Sequence, residues 1–188
     1  LVIKVGTAVL TQDGELAYER MKNLVKLIAT LKNEKNIDVI LVSSGAVGAG
    51  YTSLKLDKSI LANKQTLAAI GQPKLMKTYQ EMFEEFGITV AQMLFIADDF
   101  DSRKRSKNAK NVMEILLKNK VLPIINENDV ISTEELIGDN DQLAAYVTHY
   151  FKADMLSILT DIDGYYNKNP REFSDAEILK VVNVISEE

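Results

Sequence analysis

Five short, predominantly apolar runs punctuate the chain at residues 1–5, 37–42, 88–95, 121–125 and 155–159, each leading into glycine or short polar side chains. Apolar runs of this length without alternation mark strands buried on both faces. Between them lie stretches of helical periodicity. Leu16, Met21, Leu24, Val25, Leu27, Ile28 and Leu31 recur at helical spacing over 16–31. Two further helices are expected at 60–70 and 74–86, broken near Gly71-Gln72-Pro73. Another is expected after the acidic and basic turn at 98–110, running to about Asn119, and a last one at 142–151. Strand–helix alternation of this kind predicts an α/β fold, a three-layer α/β/α sandwich around a mostly parallel sheet. No linker, repeat or low-complexity segment interrupts it, so residues 1–188 read as a single domain.

Composition removes several kinds of chemistry. Cysteine is absent, which excludes disulfides, zinc–thiolate sites and a thiol nucleophile and fits a cytoplasmic setting. The lone histidine, His149, sits beside Tyr150 and Phe151 at a predicted helix end, where a packing or surface role is expected. A histidine metal cluster or a Ser/His/Asp triad has nothing else to draw on. A net charge of -5 argues against a nucleic-acid surface, and the basic run from Arg103 to Lys110 reads as the solvated start of a helix. No stretch is long and apolar enough to span a membrane. Leu1 falls inside a strand already under way, so a few residues are expected to precede it.

The polar residues that end the strands carry the functional signal. They are Lys4 with Gly6-Thr7, Ser43-Ser44-Gly45-Ala46, Asn126-Glu127-Asn128-Asp129 and Thr160-Asp161; Gly138-Asp139-Asn140-Asp141 opens the helix at 142–151. In an open parallel sheet these positions share the edge where ligands bind. Two readings of Lys4 stand open, a lysine on an edge strand or a phosphate ligand at a strand end. Two stand open for the glycine-rich turn 45–50 as well, a tight strand-to-helix turn or an anion cradle. That turn is neither a dinucleotide fingerprint nor a P-loop. Asp141 reads as the N-cap of the following helix, and residues 130–137 as a small hairpin or loop. Lysine, backbone amides, hydroxyls and carboxylates without a histidine or cysteine suit phosphoryl transfer, which relies on positioning and charge neutralisation rather than a covalent protein group.

Lys-Val-Gly-Thr, Ser-Ser-Gly-Ala, Asn-Glu-Asn-Asp, Gly-Asp-Asn-Asp and Leu-Thr-Asp, in this order and spacing, together with 64–76 and 121–129, resemble the amino acid kinase family, and within it the glutamate 5-kinases. The resemblance covers essentially the whole chain. It implies ATP-dependent phosphorylation of the γ-carboxylate of L-glutamate to L-glutamyl 5-phosphate, the first step of proline biosynthesis, with ATP and Mg²⁺ as cofactors and a homo-oligomer, dimer or tetramer, as the assembly. Residues 60–86 are the expected subunit contact. By the same resemblance Lys4 meets the ATP phosphates and stabilises the transferring group, and Asp141 orients Lys4. Ser44, Asp129 and Asn140 hold glutamate, Thr160 and Asp161 lie on the nucleotide side, and Gly6 and Gly45 offer amides to the anions. No side chain is assigned to a metal. Family members continue with a Gly-Thr-Gly-Gly-containing segment and a second catalytic lysine. Neither is found up to Glu188, so the C-terminal part of the nucleotide site is expected to be missing from this sequence. The competing expectations are a kinase of another small acid, such as aspartate or acetylglutamate, and a non-catalytic nucleotide or amino acid sensor.

Overall fold

A computed structural model of the chain describes residues 1–12, 15–132 and 140–182. Its centre is a five-stranded sheet of β1 (Val2–Val5), β4 (Ile40–Ser43), β5 (Val90–Phe95), β6 (Leu122–Glu127) and β7 (Leu156–Leu159), ordered β5-β6-β4-β1-β7. Every pairing in it is parallel. β2 (Thr11–Gln12) and β3 (Glu15–Leu16) form a separate small antiparallel pair. The helices are α1 (Thr7–Leu10), α2 (Tyr18–Ala29), α3 (Ala46–Tyr51), α4 (Leu61–Glu84), α5 (Ala97–Asp101), α6 (Arg103–Lys118) and α7 (Asn140–Tyr150). The expected α/β architecture is borne out.

Side-chain alternation divides the core into two layers. Ile3, Val5, Leu41, Leu122 and Ile124 pack on one face with Met21, Val25 and Ile28 of α2 and Leu75, Tyr79 and Phe83 of α4. Val2, Ile40, Val42 and Ile125 pack on the other with Phe100, Met113 of α6 and Leu143, Ala144 and Val147 of α7. Each sheet face is covered because crossovers between parallel strands carry helices over it.

Several expectations need correction. The break at 71–73 is absent, and α4 runs unbroken with Pro73 inside it. Tertiary packing overrides the helix-breaking cost of proline: a Cβ on Gly71 would collide with the carbonyl of Ala46 in α3, and one on Gly50 of α3 with the carbonyl of Leu67. These glycines mark helix–helix contact. Leu16 belongs to β3, so the helix expected over 16–31 begins at Tyr18, and its last turn widens into a π-helical segment, Thr30–Glu34. β1 lies between β4 and β7, which removes the edge-strand reading of Lys4. Arg103–Lys110 opens α6 as expected, with Ser102 accepting a hydrogen bond from the Arg105 amide. His149 is exposed near the end of α7, its ring edge-on to Tyr150. Of the loop expected at 130–137 only Val130, Ile131 and Ser132 are among the described residues; Gly138 and Asp139 also lie outside them. No helix among the described residues is long and apolar enough to cross a membrane.

Candidate active site

Register brings the strand ends level. Val5 pairs with both Ser43 and Leu159, Val42 with Ile125, and Leu94 with Asn126. Gly6, Ser44, Glu127 and Thr160 therefore leave the sheet along one edge.

Lys4 is the residue that a buried strand tolerates least. It is only 6% exposed, flanked by Val42 and Ile158, and its ammonium meets Asp141 Oδ1 at 2.5 Å. Because Val2 and Lys4 point to the α7 face, the carboxylate that compensates it comes from the first turn of α7. Asp141 is thus a helical residue engaged with Lys4, not the N-cap expected of it. Gly6 keeps the ammonium approachable: a methyl there would lie 3.4 Å from Lys4 Nζ. Gly6 has an ordinary φ of -83°, and its amide is already donated to Leu159 O at 3.4 Å.

Gly45 caps α3 with a φ of +107°, a conformation that disfavours any side chain. It turns the chain so that Ser44 stays at the sheet edge while α3 packs against α4.

Ser44, Asn126 and Asn140 form a connected polar cluster. Asn140 Nδ2 donates to Ser44 Oγ at 2.7 Å and to Asn126 Oδ1 at 3.0 Å. Asn126 Oδ1 also accepts from the Glu127 amide at 2.9 Å, and Asn126 Nδ2 donates to Gln72 Oε1 of α4 at 2.9 Å. Both protons of the Asn140 amide are then committed. Asn140 Oδ1 is buried without a hydrogen-bond partner among the described residues. An acceptor held in that state suits a ligand that brings its own N–H. Ser44 Oγ accepts from Asn140, which leaves its hydroxyl proton for another acceptor. The cluster thus offers one donor and one acceptor side by side.

Two carboxylates follow on the same strand end. Burial raises the Asp129 carboxyl to about 6. The Glu127 carboxyl is also pushed up by burial, while the Ser132 hydroxyl, which donates to its Oε1, counteracts this and nearby Asp129 adds to the rise. Desolvation of this kind disfavours the carboxylate, and a cation placed beside it would restore the charged form. Thr160 and Asp161, beyond β7, are exposed. Asp161 is held below the usual carboxylate range chiefly by a hydrogen bond from Arg171, and Thr160 Oγ1 donates to it at 3.3 Å. The contacts described here unite Lys4 with Asp141 and Ser44 with Asn140. They do not draw in Thr160 or Asp161.

The model of the amino acid kinase family matches residues 1–187. This chain belongs to the amino acid kinase family. Within that family it is similar to a glutamate 5-kinase of Wolinella succinogenes, 56% identical over all of this chain and 74% of the relative. A glutamate 5-kinase of Leishmania donovani is 51% identical over 99% of this chain and 70% of its own length. One of Helicobacter hepaticus is 49% identical over 98% and 70%. Among solved structures, an isopentenyl phosphate kinase superposes with a TM-score of 0.67 at 17% identity, covering 97% of this chain and 80% of its own, a likeness of fold. The family resemblance drawn from the strand-end motifs is borne out.

What the sequence left unassigned lies behind those motifs. Gln72 sits in the stretch expected to break a helix, yet it holds Asn126 from inside one. Ser132 and Arg171 engage Glu127 and Asp161 from loops whose sequence carries no periodic signal.

Proposed function

We propose that this chain phosphorylates the γ-carboxylate of L-glutamate with ATP, giving L-glutamyl 5-phosphate and ADP, as the entry to proline biosynthesis. The observation that carries the reading is the paired donor and acceptor, Ser44 Oγ–H and Asn140 Oδ1, beside the Lys4–Asp141 pair on one sheet edge. An α-amino acid presents a carboxylate and an ammonium close together, which match a hydroxyl donor and a carbonyl acceptor. Asp129 supplies charge for the ammonium.

The acceptor of the phosphoryl group is itself a carboxylate, so no proton has to be removed before attack. That explains how a site with no cysteine and one distant, exposed histidine can suffice. The difficulty is charge. A carboxylate and a phosphate oxygen 4 Å apart repel by roughly 1 kcal/mol in water and by roughly 4 kcal/mol at an effective dielectric of 20. Lys4, held by Asp141, offsets this at the transferring group, and the space left by Gly6 gives the phosphate access to it. The carboxylate oxygen attacks the γ-phosphorus while the bond to the ADP oxygen breaks, and the electron pair leaves with ADP.

Among the described residues no group of three or more carboxylate or histidine side chains could hold a metal ion. Mg²⁺ would come with the nucleotide and would neutralise charge on the transferring phosphates. Thr160 and Asp161 serve the nucleotide side in this reading. The assembly is a homo-oligomer, and the exposed Ile70 of α4, with Ile60 and Leu61 at its start, is the apolar surface available for that contact.

ADP release with Mg-ATP tests the reaction, comparing L-glutamate with L-aspartate and N-acetylglutamate and trapping the acyl phosphate as a hydroxamate. Glutamate-dependent hydroxamate is expected. Turnover of another acid in its place overturns the substrate, and ligand binding without turnover by the full-length protein points to a sensor.

A further inference from the structure

We infer that Gln72 is a positioning residue that holds Asn126, and through it the substrate-facing carboxamide of Asn140, in the orientation set by the Glu127 amide, and so supports the preference for a free α-ammonium. The inference rests on the reading above, that Ser44 and Asn140 hold the amino acid.

The argument begins at a group that cannot be reversed. The backbone N–H of Glu127 can only donate, and it donates to Asn126 Oδ1 at 2.9 Å. The Asn126 carboxamide therefore keeps its oxygen toward the strand and its Nδ2 toward α4. Gln72 must answer with Oε1, at 2.9 Å, and turns its own Nε2 to Gln92 Oε1 on the edge strand β5, at 3.2 Å. On the other side, Asn140 must present Nδ2 to Asn126 Oδ1, which commits its Oδ1 to the remaining direction. From Asn140 through Asn126 and Gln72 to Gln92 each carboxamide thus donates to the next in one direction, and Asn140 donates its second proton the other way, to Ser44 Oγ. Asn126 is 3% exposed, so a reversed amide there would leave buried groups unpaired.

Among the described residues Gln72 makes its side-chain hydrogen bonds to Asn126 and Gln92, not to Ser44 or Asn140. It acts by accepting from the Nδ2 of Asn126, which would otherwise be a buried unpaired donor pulling the carboxamide out of its place against the Glu127 amide and Asn140. Its position one residue before Pro73 on an unbroken helix, with Gly71 pressed against α3, makes it a rigid anchor. Gln92 is the outer end of the chain and is exposed.

The test uses the full-length protein with Gln72→Met, Gln72→Glu and Gln92→Ala, measuring KM for L-glutamate, KM for ATP, kcat and the unfolding midpoint. Gln72→Met removes the acceptor at similar volume and should raise the glutamate KM about tenfold, the effect of one buried amide left unpaired, with the ATP KM little changed. Gln72→Glu keeps an oxygen for Asn126 Nδ2, and Gln92 can rotate to donate to the other. It should recover most of the loss. Gln92→Ala should have the smallest effect. An unchanged glutamate KM in Gln72→Met overturns the inference. So does an equal rise in both KM values, or failure of Gln72→Glu to rescue, since either marks general support of the fold. Absence of glutamate turnover in the unmodified protein overturns the reading of function itself, a result distinct from any of these.

Discussion

The two ends of the candidate site are built to different standards. Where β4, β6 and α7 converge, Ser44, Asn126 and Asn140 hold one another through hydrogen bonds of 2.7 to 3.0 Å, and the central lysine is 6% exposed against its carboxylate. Beyond β7 the chain runs over the surface. Thr160 and Asp161 are exposed, Asp161 is engaged by an exposed Arg171, and Tyr165 and Val181 leave 67% and 73% of their surface open. The first region fixes its side chains before any ligand arrives. Preorganisation of that kind serves discrimination between similar small molecules, because unpaired buried polar groups penalise a ligand that cannot answer them. The second region offers polar groups without enforcing their geometry.

Lys4→Ala should break the comparison most severely if it is wrong. Losing a preorganised cation at the transferring group should lower kcat on the order of a hundredfold or more. It also leaves Asp141 in place of an ion pair, so a parallel measurement of the unfolding midpoint is needed to separate chemistry from folding. Near-normal kcat in a folded variant would remove Lys4 from the mechanism.

Asp129→Asn should separate binding from stability within the same region. The carboxyl stands at about 6 because it is buried. The folded state therefore holds this proton more tightly than the unfolded chain does, so stability falls as pH rises from about 4 through about 6 and stays at the lower level above it. Keeping the group ionised at pH 7 costs the folded protein roughly 1–3 kcal/mol. The asparagine variant should be more stable by a similar amount above pH 6, measured by urea unfolding, and this gain should vanish toward pH 4. The same variant should raise the glutamate KM about tenfold or more with the ATP KM unchanged, as loss of a charged partner to an ammonium requires. In the unmodified protein the glutamate KM should rise as pH falls below about 6. Equal effects on both substrates would sink the assignment.

Much of the preorganised region was legible because its physics is local. An apolar run that ends in asparagine or serine marks a strand end at a ligand edge, and a lysine inside such a run demands a partner. The family resemblance named Asp141 as the residue that orients Lys4, but the pattern of residues alone could not show that α7 crosses the face toward which Lys4 points. Nor could it show the role of Gln72: glycine and proline at 71 and 73 are break signals in isolation, and only the close approach of α3 turns them into a continuous helix. The surface region was less legible for a different reason. Thr160-Asp161 carries a family-like motif, but a motif does not say whether its side chains are packed, and here Arg171, ten residues later, has no periodic or motif signal pointing to Asp161.

Tyr79→Phe probes the support behind the preorganised edge on a smaller scale. The Tyr79 hydroxyl lies 2.9 Å from Ser43 Oγ in the core, and burial pushes the phenol well above its usual value. Ser43 keeps a second partner in the Ser44 carbonyl at 3.0 Å, so the loss should be modest, about 1 kcal/mol by urea unfolding. A shift in the glutamate KM as well would extend the ordered network one layer deeper, since Ser43 adjoins Ser44.

Arg171→Ala should have the smallest effect, and it tests the other side of the comparison. Both partners of the Arg171–Asp161 pair are open to water, with 65% and 45% of their side chains exposed, and ion pairs in that setting contribute little to folding. The unfolding midpoint should not move measurably. The Asp161 carboxyl, freed from the guanidinium, should return toward the usual carboxylate range, which carbonyl-region NMR titration can follow. The glutamate KM should stay as it is, because no hydrogen bond described here connects Asp161 to Ser44 or Asn140. A fall in stability comparable to that of Tyr79→Phe would show that the segment beyond β7 is held as firmly as the strand ends. The contrast between a prearranged amino acid side and a loosely held surface would then fail.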